Sequence, residues 1–419
     1  MTLSTRRLEA HDKAASLRLG AEAFGEELAP SAGQATAMEP GPALAASAAD
    51  VHQPPESWPP SGIVGFGTFD DDRLVAKLNG RPYDSWFHGA RVPTFGIAGV
   101  TVAAEHRGQG MLTSLMSRIL AEAHDQGAAI STLFPTAPGV YRRFGYELIG
   151  GFSTLSVPTS VLQQVQPPVG IHTRRAVESD FDAVRACYDR WGADRNGPLT
   201  RQGVMFPADP VEFLAGVTAV TLAVDTEDVV QGFLSWRRGQ GYGPNAQIAA
   251  EDFIWTSAAA RDALLATLAS FSAVTGTTRL TSSDQAELDL ALPVTATTVV
   301  ERTPYMLRVL DVPAALGAVR PGPGVTGSTT FSVSGDAVAA TNGTYRLEAG
   351  DGALICERVA ADPRSVTCFH PRGLALAWSG ALPLRRVMAE GLAAGGDDTA
   401  HHLWDTLGLA RPVHIRDYF

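Results

Sequence analysis

The sequence predicts an α+β protein of three successive regions built on mixed sheets. Three observations carry that expectation. Strand-like apolar runs alternate with segments of helical period, rather than one pattern filling the chain. A chain of 419 residues is too long for one ordinary core. The same order, three strand-like runs and then an apolar-periodic helix, occurs twice. The expected regions are residues 1–155, 156–300 and 301–419.

In the first region a helix is expected from Ala10 to Gly25. Ala29 to Gly62 is rich in Ala, Pro, Ser and Gly and reads as an irregular connection. Strands are expected at Gly62–Thr68, Arg73–Asn79 and Phe95–Ala103. A short turn then carries Arg107-Gly108-Gln109-Gly110 into a helix. Met111, Leu112, Leu115, Met116, Ile119, Leu120 and Ala123 share one face of that helix, and Gly127 is a fitting stop. Ile130–Phe134 and Tyr146–Ser153 read as further strands.

Gln166-Pro167-Pro168 marks a boundary. Beyond it a helix at Asp180–Trp191 precedes strands at Leu222–Asp225, Val229–Arg237 and Gln247–Trp255, then a helix at Ser257–Phe271. The turn Trp255-Thr256-Ser257 has no glycine pair and no arginine. The second region therefore reads as a degenerate copy of the first, used to wall a cleft. In the third region Phe331–Val333, Gly343–Glu348 and Gly352–Arg358 suggest a β-meander, and Ala361–Trp378 and Leu382–Gly391 contain helix.

Composition narrows the function. Hydrophobic content of 45% with 18% charged residues is that of a soluble globular protein. No apolar run approaches the ~18 residues of a membrane span, and the N-terminus lacks a signal-peptide core, so a cytoplasmic protein is expected. Cys187, Cys356 and Cys368 form neither an even disulfide set nor a CxxC pattern, and the histidines do not cluster, so no metal site is expected. The net charge of −11 argues against nucleic acid. Between Leu19 and Asp72 there is no Lys or Arg, while nine acids fall there. Near a cleft that span attracts cationic substrates; alternatively it is a solvated acidic loop.

The turn after Ala103-Ala104 has the makings of an anion site. Glycines let backbone wrap a ligand closely, free amides at a helix start favour phosphate, and Arg107 adds a permanent forked charge. The alternative is a tight strand–helix turn with no ligand.

Val100-x-Val102, then His106-Arg107-Gly108-Gln109-Gly110, then Tyr141-x-Arg143-Phe144-Gly145-Tyr146, resembles the GNAT N-acetyltransferases, and more narrowly the Eis family. The resemblance implies two GNAT-like domains and a C-terminal sterol-carrier-like domain, entered through Pro304 to Val312. It implies acetyl-CoA as cosubstrate. Arg107, Gly108, Gln109, Gly110 and Met111 would hold its pyrophosphate, and Val100, Thr101 and Val102 its pantetheine. Thr136 would lie near the acetyl or pantetheine. Leu112 departs from the family's usual Gly or Ala. The resemblance also implies a hexamer.

Acetyl transfer needs a proton taken from the amine and one given to the leaving thiolate. By resemblance Tyr141 is the general acid and the α-carboxylate of Phe419, the last residue, is the base. An ordinary phenol stays protonated at neutral pH and a terminal carboxylate stays charged. The alternative for Tyr141 is a packed tyrosine bonded to backbone. Glu26 matches a family acid that binds the cationic substrate; otherwise it is an exposed helix-end glutamate. The family often has an acid just before its terminal residue, where Tyr418 stands here, so Asp417 is the nearest candidate for amine-pocket acidity. Trp58 and Trp86 are candidates for cation–π contact in the cleft or for core. The expected reaction is direct transfer to a primary amine of a cationic substrate such as an aminoglycoside. A polyamine or protein lysine, or a ligand-binding protein with vestigial catalytic domains, are the alternatives.

Overall fold

A computed structural model describes residues 3–25, 58–60, 62–203, 206, 209–360 and 366–419. In the first region β1 (Leu3–Arg7) leads to α1 (Lys13–Phe24), then β2 (Val64–Asp70), β3 (Arg73–Phe87) and β4 (Ala90–Val102). Helix α2 (Met111–Asp125), β5 (Ile130–Leu133), α3 (Pro138–Arg142) and β6 (Glu147–Pro158) follow. The second region repeats that series. It runs β7 (Ile171–Arg175), α4 (Phe181–Ala193), α5 (Pro210–Ala215), β8 (Ala219–Asp225), β9 (Val230–Arg238) and β10 (Gly243–Trp255). It closes with α6 (Ala258–Ala269), β11 (Thr275–Ser282), α7 (Gln285–Asp289) and β12 (Thr298–Val309). Apart from α5, each described element of one region has a counterpart among the described elements of the other.

All twelve strands join one sheet in the order β1-β2-β3-β4-β5-β12-β6-β11-β10-β9-β8-β7. Exchanging each strand for its counterpart gives the same order reversed, so the sheet is pseudo-twofold. At its centre the regions swap their last strands: β12 pairs with β5, and β6 pairs with β11. The expected boundaries at 155/156 and 300/301 consequently fall inside β6 and β12. A cut there would remove hydrogen-bond partners that lie in the other region.

Local chemistry repeats too. Arg6 donates to both carboxylate oxygens of Asp12, at 2.7 and 2.9 Å, and Asp12 accepts from the Glu9 amide. Arg174 makes the same fork onto Asp180, at 2.8 and 2.8 Å, and Asp180 accepts from the Val177 amide. Each carboxylate ties a strand to the start of the following helix.

The third unit has α8 (Val312–Gly317), then the sheet β15-β14-β13-β16-β17. Its strands are β13 (Gly327–Val333), β14 (Gly343–Gly350), β15 (Ala353–Val359), β16 (Thr367–Phe369) and β17 (Ala393–Ala394). Helices α9 (Pro371–Ser379), α10 (Leu384–Ala389) and α11 (Asp398–Gly408) complete it. The expected meander is β13 to β15, antiparallel throughout. Docking onto the central strands of the large sheet includes one buried and one half-buried polar contact. Arg308 of β12 donates to Asp336 at 2.9 Å, and Glu147 of β6 accepts from Arg372 at 2.7 Å.

Among the described residues no helix is long and apolar enough to cross a membrane, and no group of His, Cys, Asp and Glu is arranged to hold a metal ion.

Candidate functional site

Strands β4 and β5 pair in parallel only from Thr94 to Ile97, against Ile130 to Leu133. Beyond that point β5 has ended while β4 runs on to Val102. A bulge helps to swing it away: the register with β3 shifts between Lys77–Thr101 and Asn79–Ala98. Gly99 sits there at φ +59°, a left-handed value that favours glycine. Among the described residues the edge of β4 from Ala98 to Val102 on the β5 side is therefore open, and Val100, Thr101 and Val102 lie on it. An extended amide-bearing ligand is what such an edge can pair with.

The open edge leads into the glycine turn. Gly108 and Gly110 take φ +80° and +79°, with open space where a Cβ would stand. The amides of Gly108, Gln109, Gly110, Met111 and Leu112 have no hydrogen-bond partner among the described residues, and no side chain caps α2. Arg107 is exposed beside them, its Nε donating to the Val102 carbonyl at 3.3 Å. The counterpart turn before α6 is closed, because Ser257 Oγ accepts from the Ala260 amide. The second region thus lacks both the arginine and the free helix start.

Tyr141 stands in α3, which follows β5, and is buried with 7% exposure. Its hydroxyl has no hydrogen-bond partner among the described residues, unlike the Tyr146 hydroxyl, which lies 2.6 Å from Ser131 Oγ. Burial raises the Tyr141 pKa above that of an ordinary phenol, so the group keeps its proton at neutral pH. The counterpart residue in α7 is Leu288. Thr136 is exposed between β5 and α3.

Phe419 is buried at 5% exposure. Its ring packs on Tyr83 at 5.0 Å and on Phe134 at 5.2 Å, one residue past β5. It lies over Gly96, where a Cβ would come within 2.4 Å of the ring. The next residue back, Phe95, points to the other face of β4, where it and Ile119 of α2 crowd Gly80. The chain end and the phosphate-type helix therefore approach β4 from opposite faces.

One expectation needs correcting. Asp417 accepts from Arg201 Nη2 at 2.7 Å and from the Tyr188 hydroxyl at 2.7 Å, so both its oxygens are engaged. It anchors the chain end and is not a free acid for an amine. Of the two alternatives for Trp86 the core one fits: it is buried and packs against Gly192 of α4, where a Cβ would meet its ring at 2.6 Å. Trp58 packs beside the first region's core. Glu26 lies outside the described residues.

The residues that hold Phe419 were missed. Tyr83, Gly96, Phe134, Arg201 and Asp252 are scattered over nearly 170 positions and share no motif. The one available signal was the purely aromatic chain end, which needs an apolar seat.

Residues 4–149 match the family described as the acetyltransferase (GNAT) domain. An uncharacterized N-acetyltransferase of Streptomyces avermitilis is 29% identical over 60% of this chain and 65% of its own length. The aligned part thus spans just under two thirds of that relative. The N-acetyltransferase Eis of Mycobacterium tuberculosis is 26% identical over 35% of this chain and 36% of its own. The crystal structure of a GCN5-related N-acetyltransferase from Kribbella flavida covers 100% of this chain and 98% of its own, with a TM-score of 0.80 and 26% identity.

Proposed function

We propose that this chain, whose residues 4–149 match the acetyltransferase (GNAT) domain and which is similar to Eis over part of its length, is an enzyme that transfers acetyl from acetyl-CoA to a primary amine. The observation that carries this reading is the open edge of β4 running straight into an uncapped helix start. Together they offer backbone partners for a pantetheine arm and amides plus Arg107 for a pyrophosphate.

In this reading transfer is direct, within one complex of enzyme, acetyl-CoA and amine. Alignment of the two substrates supplies much of the acceleration. The α-carboxylate of Phe419 accepts a proton from the ammonium, freeing the nitrogen lone pair. The C–N bond forms as the C–S bond breaks. The Tyr141 hydroxyl gives its proton to the departing sulfur, and the second proton that the nitrogen sheds on becoming an amide restores the phenol. The substrate class is a cationic amine, an aminoglycoside being the example implied by the Eis resemblance. The net charge of −11 favours its approach. A homo-oligomer, the hexamer of that resemblance, belongs to the same proposal.

Isothermal titration with acetyl-CoA is the first test, and heat at micromolar concentration is expected. Absence of binding leaves only the ligand-binding alternative. Free CoA release is then measured with aminoglycosides, polyamines and lysyl peptides. Release with aminoglycosides supports the substrate class, whereas release confined to polyamines or peptides replaces it.

A further inference from the structure

The second region lacks the coenzyme turn, yet it keeps the opening. β10 and β11 pair in parallel from Gln247 to Ala250, against Thr277 to Leu280, and β10 then continues to Trp255. A one-residue bulge at Glu251 shifts its register with β9, as the bulge at Gly99 does in β4. The mouth of this second opening is where the last residues of the chain run.

Contacts follow the segment residue by residue. The Asn196 amide donates to the Pro412 carbonyl at 2.9 Å, and the His414 amide donates to the Asn196 carbonyl at 2.8 Å. His414 lines a small cavity with Phe253 of β10, Ser282 of β11 and Leu288 of α7. The Ile415 amide donates to Ser283 Oγ at 2.7 Å, and the same hydroxyl donates back to the Ile415 carbonyl. Arg416 donates to Asp252 at 2.9 Å, and Asp252 also accepts from Arg201 at 2.6 Å and from Ser235 at 2.9 Å. Asp417 closes the circuit on Arg201. Asp252 is buried at 6% exposure, so its charge is matched by two guanidiniums rather than by water.

The pseudo-twofold relation gives the pattern its meaning. Ser283 is one residue past β11, and Phe134 is one residue past β5. Ile415 meets the former and Phe419 the latter. Four residues span the two openings. We propose that the second region's vacant coenzyme opening is an internal docking site for residues 412–417, and that Asp252 and Ser283 are positioning residues that set where the Phe419 carboxylate lies. The opening of the degenerate domain then grips the chain's own end instead of a cosubstrate.

The proposal rests on the reading of Phe419 as base, and the test separates the two. Full-length parent, Ser283→Ala and Asp252→Asn are treated with carboxypeptidase Y, and released phenylalanine is followed by mass spectrometry. Melting temperature and acetyl-CoA affinity are measured on the same samples. In a folded variant whose acetyl-CoA Kd is unchanged, Phe419 is expected to leave roughly tenfold faster, since local opening is easier. Its kcat for amine acetylation is expected to fall while the acetyl-CoA KM holds. Asp252→Asn leaves Arg201 and Arg416 short of charge and is the harsher change. Ser283→Ala removes only one hydroxyl and keeps the test valid if the first variant unfolds. Parental release rates in folded Ser283→Ala overturn the docking site. Faster release with parental kcat upholds docking and overturns the base assignment of Phe419 instead.

Discussion

The Phe419 ring occupies the space that a side chain at Gly96 would need, with 2.4 Å between that position and the nearest ring carbon. A strand in the middle of a sheet gains little from glycine, which costs entropy and packs nothing. Here the missing Cβ admits the last residue of the chain, 323 positions later, to the face of β4 beside the site. Replacing Gly96 by valine is expected to expel the ring. Overpacking of this kind costs about 1–3 kcal/mol. Turnover is expected to fall well below that of the parent while acetyl-CoA, proposed to lie along the open edge of β4 and the turn before α2, binds as before. A Gly96→Val enzyme with parental kcat would show that Phe419 has no part in the chemistry.

Arg107 reads differently in sequence and structure only in its present partner. It donates to the Val102 carbonyl and is otherwise exposed. Its charge is unspent, so Arg107→Ala is expected to weaken acetyl-CoA binding by about 1.5–3 kcal/mol, the worth of a charge-assisted bond. Titration at two salt concentrations checks it, and the variant's Kd is expected to vary less with salt than the parent's.

Tyr141→Phe deletes one hydroxyl that has no partner among the described residues, so the fold loses no hydrogen bond seen here. The melting temperature is expected to stay within a degree or two of the parent's, by the roughly ±0.5 kcal/mol of a neutral change. If the hydroxyl is the proposed proton donor, kcat is expected to fall while acetyl-CoA affinity stays the same. A variant as active as the parent would return Tyr141 to a packing role.

Much of the first region was legible because its signals are local. The apolar period of α2 and the glycine turn predicted their elements within a residue or two. The resemblance identified the open strand. What escaped was non-local. β11 is Thr-rich, TGTTRLTS, and showed no apolar period, because its side chains pack in the centre of a sheet made by both regions. β1, Leu3–Arg7, drew no expectation at all. The repeat Arg6…Asp12 and Arg174…Asp180, each six residues apart before a helix, would have exposed both the strand and the duplication. Asp417 was misassigned because its partners Arg201 and Tyr188 lie more than 200 positions away.

Two buried histidines at regional junctions give a pH dependence. His88, in the turn after β3, donates from Nε2 to the Trp378 carbonyl at 2.6 Å, which joins the first region to α9. Burial lowers its pKa to about 4, and burial lowers that of His414 to about 3. Both are neutral when folded and bind protons when unfolded below an ordinary pKa near 6.5. Stability is therefore whole above about pH 6.5 and is lost as pH falls through 6 and 5 toward 4. The loss is of order 3 kcal/mol for His88, from its shift at ~1.4 kcal/mol per unit. Melting temperatures from pH 7 to pH 4.5 are expected to fall less steeply in His88→Gln than in the parent, whatever their starting values. Parallel slopes would mean that His88 does not carry this proton uptake.

The chain end offers the most exposed prediction. The Phe419 ring is buried among Tyr83, Phe134 and Tyr305, a placement worth about 1.5–3 kcal/mol for a fully buried ring. If its α-carboxylate takes the amine's proton, the group must stand within hydrogen-bond reach of that amine or of one bridging water. Adding residues after Phe419 turns the carboxylate into a neutral amide and moves the terminal charge about 3.3–3.6 Å further for each residue added. A short C-terminal extension is therefore expected to abolish most acetyl transfer, and so is deletion of Phe419. The same extension before Met1 is expected to leave activity intact. Acetyl-CoA affinity, which the proposed site at β4 and the turn before α2 would set, is expected to survive in all three. Semisynthesis of Phe419 as its amide removes the negative charge without adding bulk, which separates loss of the base from steric expulsion of the tail. Full CoA release from the amidated protein would mean that another group, or water, takes the proton.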